Sequence, residues 1–306
     1  MVLLPKQGQV LIVLILGVVG VSTAAIFIRL CLQVTGESGL GFSLFIAAAR
    51  LTFASLALLP ILINQLPIGV SRQGYQCAIA AGMMLMLHFA FWITSLSFTS
   101  IAASTTIVTT NPIWVTLLSW FWLKEKPTRF TILGIGIALC GGFCIAIGDA
   151  DRLHGGSNPL LGDGLALLGA WSASLYLLLG KQAQAAGLSI GHYSAIAYST
   201  AAVLLLPLPL FFGINYWGYP SEVYAYLLGM ALFSQVLGHT SFNWAVRFIS
   251  PTFVTLALLF EPVSASILGV FVFGEVPSIL VLIGAIILLT GSAIAILGAP
   301  RRENVK

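Results

Sequence analysis

Apolar residues run along the chain in ten nearly unbroken stretches: 10–32, 42–63, 74–96, 101–123, 130–148, 161–180, 191–212, 223–245, 252–273 and 278–298. A helix needs about 20 residues to cross the hydrocarbon core of a bilayer, and each stretch comes close to that length or exceeds it. A membrane-barrel strand alternates apolar and polar positions over about ten residues, whereas these runs are continuous and far longer. The pattern therefore predicts an all-α integral membrane protein of ten transmembrane helices, with no room left for a soluble domain.

The start of the chain imitates a cleavable signal peptide. Lys6 precedes an apolar run that reaches the small residues Ser22, Thr23, Ala24 and Ala25. The apolar character then continues to residue 32, past the 7–15 residues of a usual signal core, so the segment is read as a true first helix.

Composition agrees with the pattern. Hydrophobic residues make up 59% of the 306 residues and charged residues 7%, with a mean hydropathy of +1.04. Soluble domains carry about 25% charged residues, so most of this surface must face lipid. With the N-terminus inside, the inner loops and tails collect Lys6, Arg72, Lys124, Lys126, Arg129, Lys181, Arg247, Arg301, Arg302 and Lys306. The outer connections hold Arg29 and Arg152 beside Glu37, Asp149, Asp151, Glu222 and Glu275. This positive-inside asymmetry predicts that both termini are cytoplasmic, in a multi-pass protein of the cell inner (plasma) membrane. The basic residues are scattered singly and form no face for nucleic acid. The expected partners are the lipid bilayer and a small-molecule substrate.

Shifted by 150 positions, 97–148 aligns with 247–298 without a gap. Pro112 falls on Pro262, Glu125 on Glu275 and Pro127 on Pro277, while Gly134, Gly141 and Gly148 fall on Gly284, Gly291 and Gly298. The same shift puts Ser22 on Ser172. The domains predicted from this duplication are a first repeat over 10–148, an external linker over 149–160, a second repeat over 161–298 and a cytoplasmic tail over 299–306. Five helices per half make the second half enter the membrane upside down, an architecture found in secondary transporters. The glycines recur every seven residues, near two helical turns, and form small-residue stripes that let backbones approach in lipid. The fifth and tenth helices are thus expected to pack on each other or across a homodimer.

Arg50 in the second helix is followed by Asn111-Pro112 with Trp122-Leu123-Lys124-Glu125-Lys126-Pro127. Glu261-Pro262 with Phe273-Gly274-Glu275-Val276-Pro277 repeats the theme. On these residues the chain, over 10–298, resembles the drug/metabolite transporter superfamily and its EamA-type exporters. That resemblance implies two five-helix EamA repeats with both termini inside. It also implies export of small metabolites, often amino acids or drug-like compounds, by proton coupling in some members and by facilitated passage in others. Asn111 departs from the small residue that many first repeats carry before the proline.

Polar groups at mid-bilayer depth are expensive, a central charge costing about 2.5–3.5 kcal/mol on insertion scales, so they are expected to face the interior. Glu261 sits about 14 Å along its helix by the helical rise, and Asn111 stands at the equivalent depth. Pro112 and Pro262 each free a carbonyl one turn earlier. Glu261 is a candidate to carry a proton or to bind a substrate ammonium; the alternative is a structural glutamate pinning two helices. Gln235, His239 and Asn243, at spacing four, share one helix face and are expected to line a central cavity, with His239 a second proton-coupling candidate. His88 reads as a hydrogen-bonded interior histidine. Arg50 reads as a structural anchor or gate partner. Trp92, Trp114, Trp171 and Tyr176 are candidate cavity walls, and Trp120, Trp122, Trp217 and Tyr219 an interfacial belt. Ser104, Thr105, Thr106, Thr109 and Thr110 add weaker lining positions, since threonines tolerate lipid by bonding their own helix.

No metal or cofactor is expected. Cys140 and Cys144 share a face but have no histidine or carboxylate beside them, and Cys31 and Cys77 read as small packing residues. The chain has no G-x-S-x-G, no H-E-x-x-H and no P-loop, which argues against an intramembrane enzyme and against a nucleotide-driven pump. A facilitative, channel-like permease stays open as the alternative to an alternating-access carrier.

Overall fold

The architecture is that of a computed structural model, which describes residues 7–37, 39–64, 69–95, 98, 104, 107–108, 110–150, 158–274 and 278–297. All regular structure among them is helical. The first half contains α1 (Gln7–Thr35), α2 (Leu40–Asn64), α3 (Arg72–Ser95), α4 (Asn111–Leu118) and α5 (Arg129–Ala150). The second contains α6 (Pro159–Ala185), α7 (Ile190–Leu205), α8 (Leu208–Phe211), α9 (Ser221–Gly229), α10 (Thr240–Ala245), α11 (Pro251–Leu258), α12 (Glu261–Phe273) and α13 (Ile279–Leu297). Among the described residues six helices are long and apolar enough to cross a membrane: Gly8–Thr35, Leu40–Asn64, Arg72–Ser95, Leu160–Ala185, Ile190–Phe211 and Pro251–Phe273. Arg129–Cys144 and Leu282–Ala295 are shorter apolar helices.

Several expected helices are interrupted. The run 223–245 widens into π-helical turns over Met230–His239 between α9 and α10, and 101–123 ends in a π-helical turn over Ser119–Leu123. The run 191–212 turns at Leu206 and Pro207 before α8, because proline supplies no amide donor. Leu259 and Phe260 tighten the chain between α11 and α12 through bonds to Leu256 and Ala257 three residues back. Two helix starts carry serine caps: the Ser189 hydroxyl accepts from the His192 amide at 3.2 Å, and Ser250 accepts from Phe253 at 3.4 Å ahead of Pro251.

The packing pairs each element of one half with a counterpart in the other. α3 packs on α6 while the Met230–His239 segment packs on α1; α4 meets α6 while α12 meets α1; α2 meets α7, α4 meets α11 and α5 meets α13. Glycine makes the last contact possible. A Cβ on Gly141 would lie against the Leu288 backbone and 2.6 Å from the Gly284 carbonyl, and one on Gly291 would lie 2.7 Å from the Gly134 carbonyl. A Cβ on Gly134 would meet the backbone of Ala295. These two helices are therefore in contact within one chain, backbone to backbone. The surroundings of Gly148 fall outside the described residues, as does Gly298.

Candidate functional site

Arg50 enters the core of the bundle from α2 and is 3% exposed. Its Nε donates to the side-chain oxygen of Gln235 at 2.9 Å, and its guanidinium lies 4.5 Å from the centre of the Phe89 ring. Hydrocarbon gives a cation no solvation, so it is held by a fixed dipole and an aromatic face. Gln235 comes from the π-helical turns and is itself fully buried.

A tyrosine and amide network continues from Gln235. The Tyr198 hydroxyl lies 3.3 Å from the Gln235 carbonyl and 3.0 Å from the Thr240 hydroxyl. The Asn243 side-chain nitrogen donates to the hydroxyls of Tyr176 and Tyr198, and the Asn243 backbone carbonyl accepts from Gln184 at 2.7 Å. Tyr193 closes the cluster behind Tyr176. Half-buried His239 presents its ring edge-on to Phe89 at 5.8 Å and to Tyr176 at 6.4 Å. His88 faces the Gly169 carbonyl at 3.0 Å through Nδ1, which must be the donor because a carbonyl only accepts. The His88 ring stacks on Trp92 at 5.9 Å.

Five polar atoms of this cluster are buried without a hydrogen-bond partner: Arg50 Nη2, Gln235 Nε2, Asn243 Oδ1, Gln184 Oε1 and Trp92 Nε1. A buried donor or acceptor left unmade costs about 1–3 kcal/mol. Buried polar groups in native proteins are nearly always paired, with protein or with ordered water, so these atoms are the places where a further partner would bind.

The two proline junctions flank the cluster in different ways. At the first, the carbonyl freed by Pro112 is that of Val108. With its amide nitrogen turned toward the carbonyls, Asn111 donates to Val108 at 3.2 Å and to Ala170 of α6 at 2.8 Å. Asn111 thus ties α4 to α6. At the second, the carbonyl of Glu261 accepts from the Ser22 hydroxyl of α1 at 3.2 Å. The Glu261 side chain is half-buried and bonds no other described side chain; the cation acting on it electrostatically is Arg50. The surroundings of the Pro262 ring lie outside the described residues.

Trp114 and Trp171 fall elsewhere. They pack on each other at 5.2 Å, Trp114 donates to Thr110 at 2.9 Å, and Trp171 is 49% exposed. Trp114 lines an open apolar cavity of about 440 Å³ with Ile107, Thr110, Ile113, Leu160, Asp163, Gly164 and Leu167. Ser104 bonds Ser95, while Thr105, Thr106 and Thr109 lie outside the described residues. Trp120, Trp122 and Trp217 are exposed. Tyr219 instead packs on Phe42 and Phe45 beside Tyr216, whose hydroxyl burial pushes up to about 12.

Sequence reasoning missed Phe89, Gln184, Tyr193 and Tyr198. Only Gln184 carried a signal, as an amide at the end of an apolar run. Among the described residues no group of three or more histidines, cysteines or acids is placed to hold a metal.

The model of the EamA-like transporter family matches residues 8–147 and again 160–297. An uncharacterised transporter of Clostridium kluyveri is 27% identical over 69% of this chain and 67% of its own length. The uncharacterised transporter YoaV of Bacillus subtilis is 25% identical over 82% of this chain and 84% of its own. A solved crystal structure superimposes with a TM-score of 0.79 over 96% of this chain and 98% of that one, at 16% identity; that likeness is one of fold.

Proposed function

The chain belongs to the EamA-like transporter family, and from that premise we propose that it is a secondary carrier exporting small metabolites, such as amino acids or drug-like compounds, across the inner membrane. The observation that carries this reading is the buried polar cluster of Arg50, Gln235, Asn243, Tyr176 and Tyr198, which leaves donors and an acceptor idle in an otherwise apolar bundle. A passing solute with polar groups of its own would satisfy these atoms.

The mechanism proposed is alternating access between two inverted five-helix halves, with both termini cytoplasmic. The reciprocal pairing of α3 with α6 and of the Met230–His239 segment with α1 supports it, since a two-fold relation between halves would produce that pattern. Contacts at the helix ends support the topology. Lys181 and Glu125, both assigned inside, form an ion pair at 2.6 Å. Arg29 and Phe273, both assigned outside, lie 4.4 Å apart, and the Asn158 amide donates to the Phe98 carbonyl at 3.1 Å. The half-buried Glu261 carboxylate, with His239 across the cluster, is proposed to carry the coupled proton.

Proteoliposomes carrying the chain are to be assayed for uptake of radiolabelled amino acids and organic cations, with and without an imposed pH gradient. Gradient-dependent flux that collapses in Glu261→Gln is the expected result. Flux indifferent to both would make the protein a facilitative permease and return Glu261 to a structural role.

A further inference from the structure

We propose that the idle edge of the Arg50 guanidinium, together with the Gln235 amide, is the seat of a substrate carboxylate, so that the solutes carried are organic acids or zwitterions with an apolar or aromatic body. The proposal rests on the carrier reading and deepens it.

A guanidinium presents Nε–H and one terminal N–H along the same edge, a fork that matches the two oxygens of a carboxylate. In this protein the fork is half filled: Nε is taken by the Gln235 oxygen, and Nη2 is buried with no acceptor. Gln235 has a similar surplus: its oxygen is used, and its Nε2 is buried without a hydrogen bond, the Tyr198 hydroxyl being the polar group it acts on. Two unmet donors thus stand at the two ends of a single hydrogen bond, beside a full positive charge. A purely structural arginine at this depth would saturate its donors on carbonyls or on a carboxylate. The carboxylate at hand, Glu261, acts on Arg50 electrostatically but makes no ion pair with it. His88, His239, Tyr176 and Tyr198 are the other titratable groups acting on Arg50 or acted on by it, and none supplies an acceptor to Nη2.

The walls describe the rest of the solute. Phe89 lies under the guanidinium, His239 stands edge-on to Phe89, and Trp92 stacks on His88. An anionic head on Arg50 and Gln235 with its body against these rings buries no unpaired charge. In a zwitterion the ammonium would be left for Glu261.

The test is binding of 3-phenylpropionate and its neutral amide, 3-phenylpropanamide, to the purified full chain in lipid nanodiscs. The wild type is expected to favour the acid by about tenfold, the worth of one charge-assisted hydrogen bond. Arg50→Gln should abolish that preference. Gln235→Glu, which seats an internal carboxylate on the fork, should abolish it too while keeping or raising thermal stability, and it decides the matter if the arginine variant does not fold. A wild type without preference, whether it binds both probes or neither, overturns the proposal, as does a preference that survives Gln235→Glu. Ordered water filling the fork would give that absence of preference. Retained acid preference without flux in proteoliposomes would instead count against the carrier reading alone.

Discussion

Lys124 and Gly274 hold the same left-handed backbone conformation, φ 59° and 68°, at positions 150 residues apart. Each ends a helix, the turn after α4 and α12 respectively. Glycine adopts this conformation without strain, whereas a residue with a Cβ is penalised. Lys124 is the only non-glycine residue among those described with positive φ. Lys124→Gly is therefore expected to stabilise the protein by about 1 kcal/mol, and Gly274→Ala to destabilise it by a similar amount. Thermal unfolding in detergent checks both; a loss of stability in Lys124→Gly would mean that the lysine does more than cap.

The contact between α5 and α13 predicts a contrast between two glycines of one helix. A Cβ at Gly141 would press into the Leu288 backbone, while one at Gly136 meets nothing within 4 Å. Gly141→Ala should cost about 1–3 kcal/mol through forced helix separation. Gly136→Ala should be neutral or gain up to about 1 kcal/mol from helix propensity. Equal effects at the two sites, measured as midpoint shifts in detergent, would rule out the close backbone approach.

Asn111 faces the interior at the depth of Glu261, and with its nitrogen turned toward them its amide spans the carbonyls of Val108 and Ala170. If it serves the carbonyl that Pro112 frees, only a donor will do. Asn111→Asp, nearly isosteric, should lose about 1–3 kcal/mol of stability by stranding both carbonyls, with transport per folded molecule little changed. An unchanged melting point with altered substrate preference would place the side chain at the solute.

What the sequence made legible was whatever lipid penalises. Arg50, Gln235, Asn243 and Glu261 stand out because each is costly in hydrocarbon, and the glycine stripes stand out by their period. Tyr193 and Tyr198 gave no such warning, since a tyrosine in an apolar run reads equally as core or interface and only its partners show which. The π-helical turns of Met230–His239 carry no proline or other local mark, yet they seat Gln235 opposite Arg50. For Trp114 and Trp171 depth in a helix was legible, but the direction each ring faces was not.

The proposed inverted topology makes a sharp prediction. Gln73 lies in the first turn of α3 and Ser221 begins α9, and both are exposed. Five crossings per half assign Gln73 to the cytoplasmic side and Ser221 to the outside, although the two helices occupy related places in their repeats. The native cysteines would confuse labelling, because Cys140 is exposed, so all four are first replaced by alanine. Ser221→Cys should then react with a membrane-impermeant maleimide in intact cells, and Gln73→Cys only after permeabilisation. The proposed orientation follows the basic residues, since a side carrying short Lys- and Arg-rich loops tends to stay inside. Labelling of both positions from one side would show that the halves are parallel, and the reciprocal helix pairing would then need an origin other than an inverted two-fold.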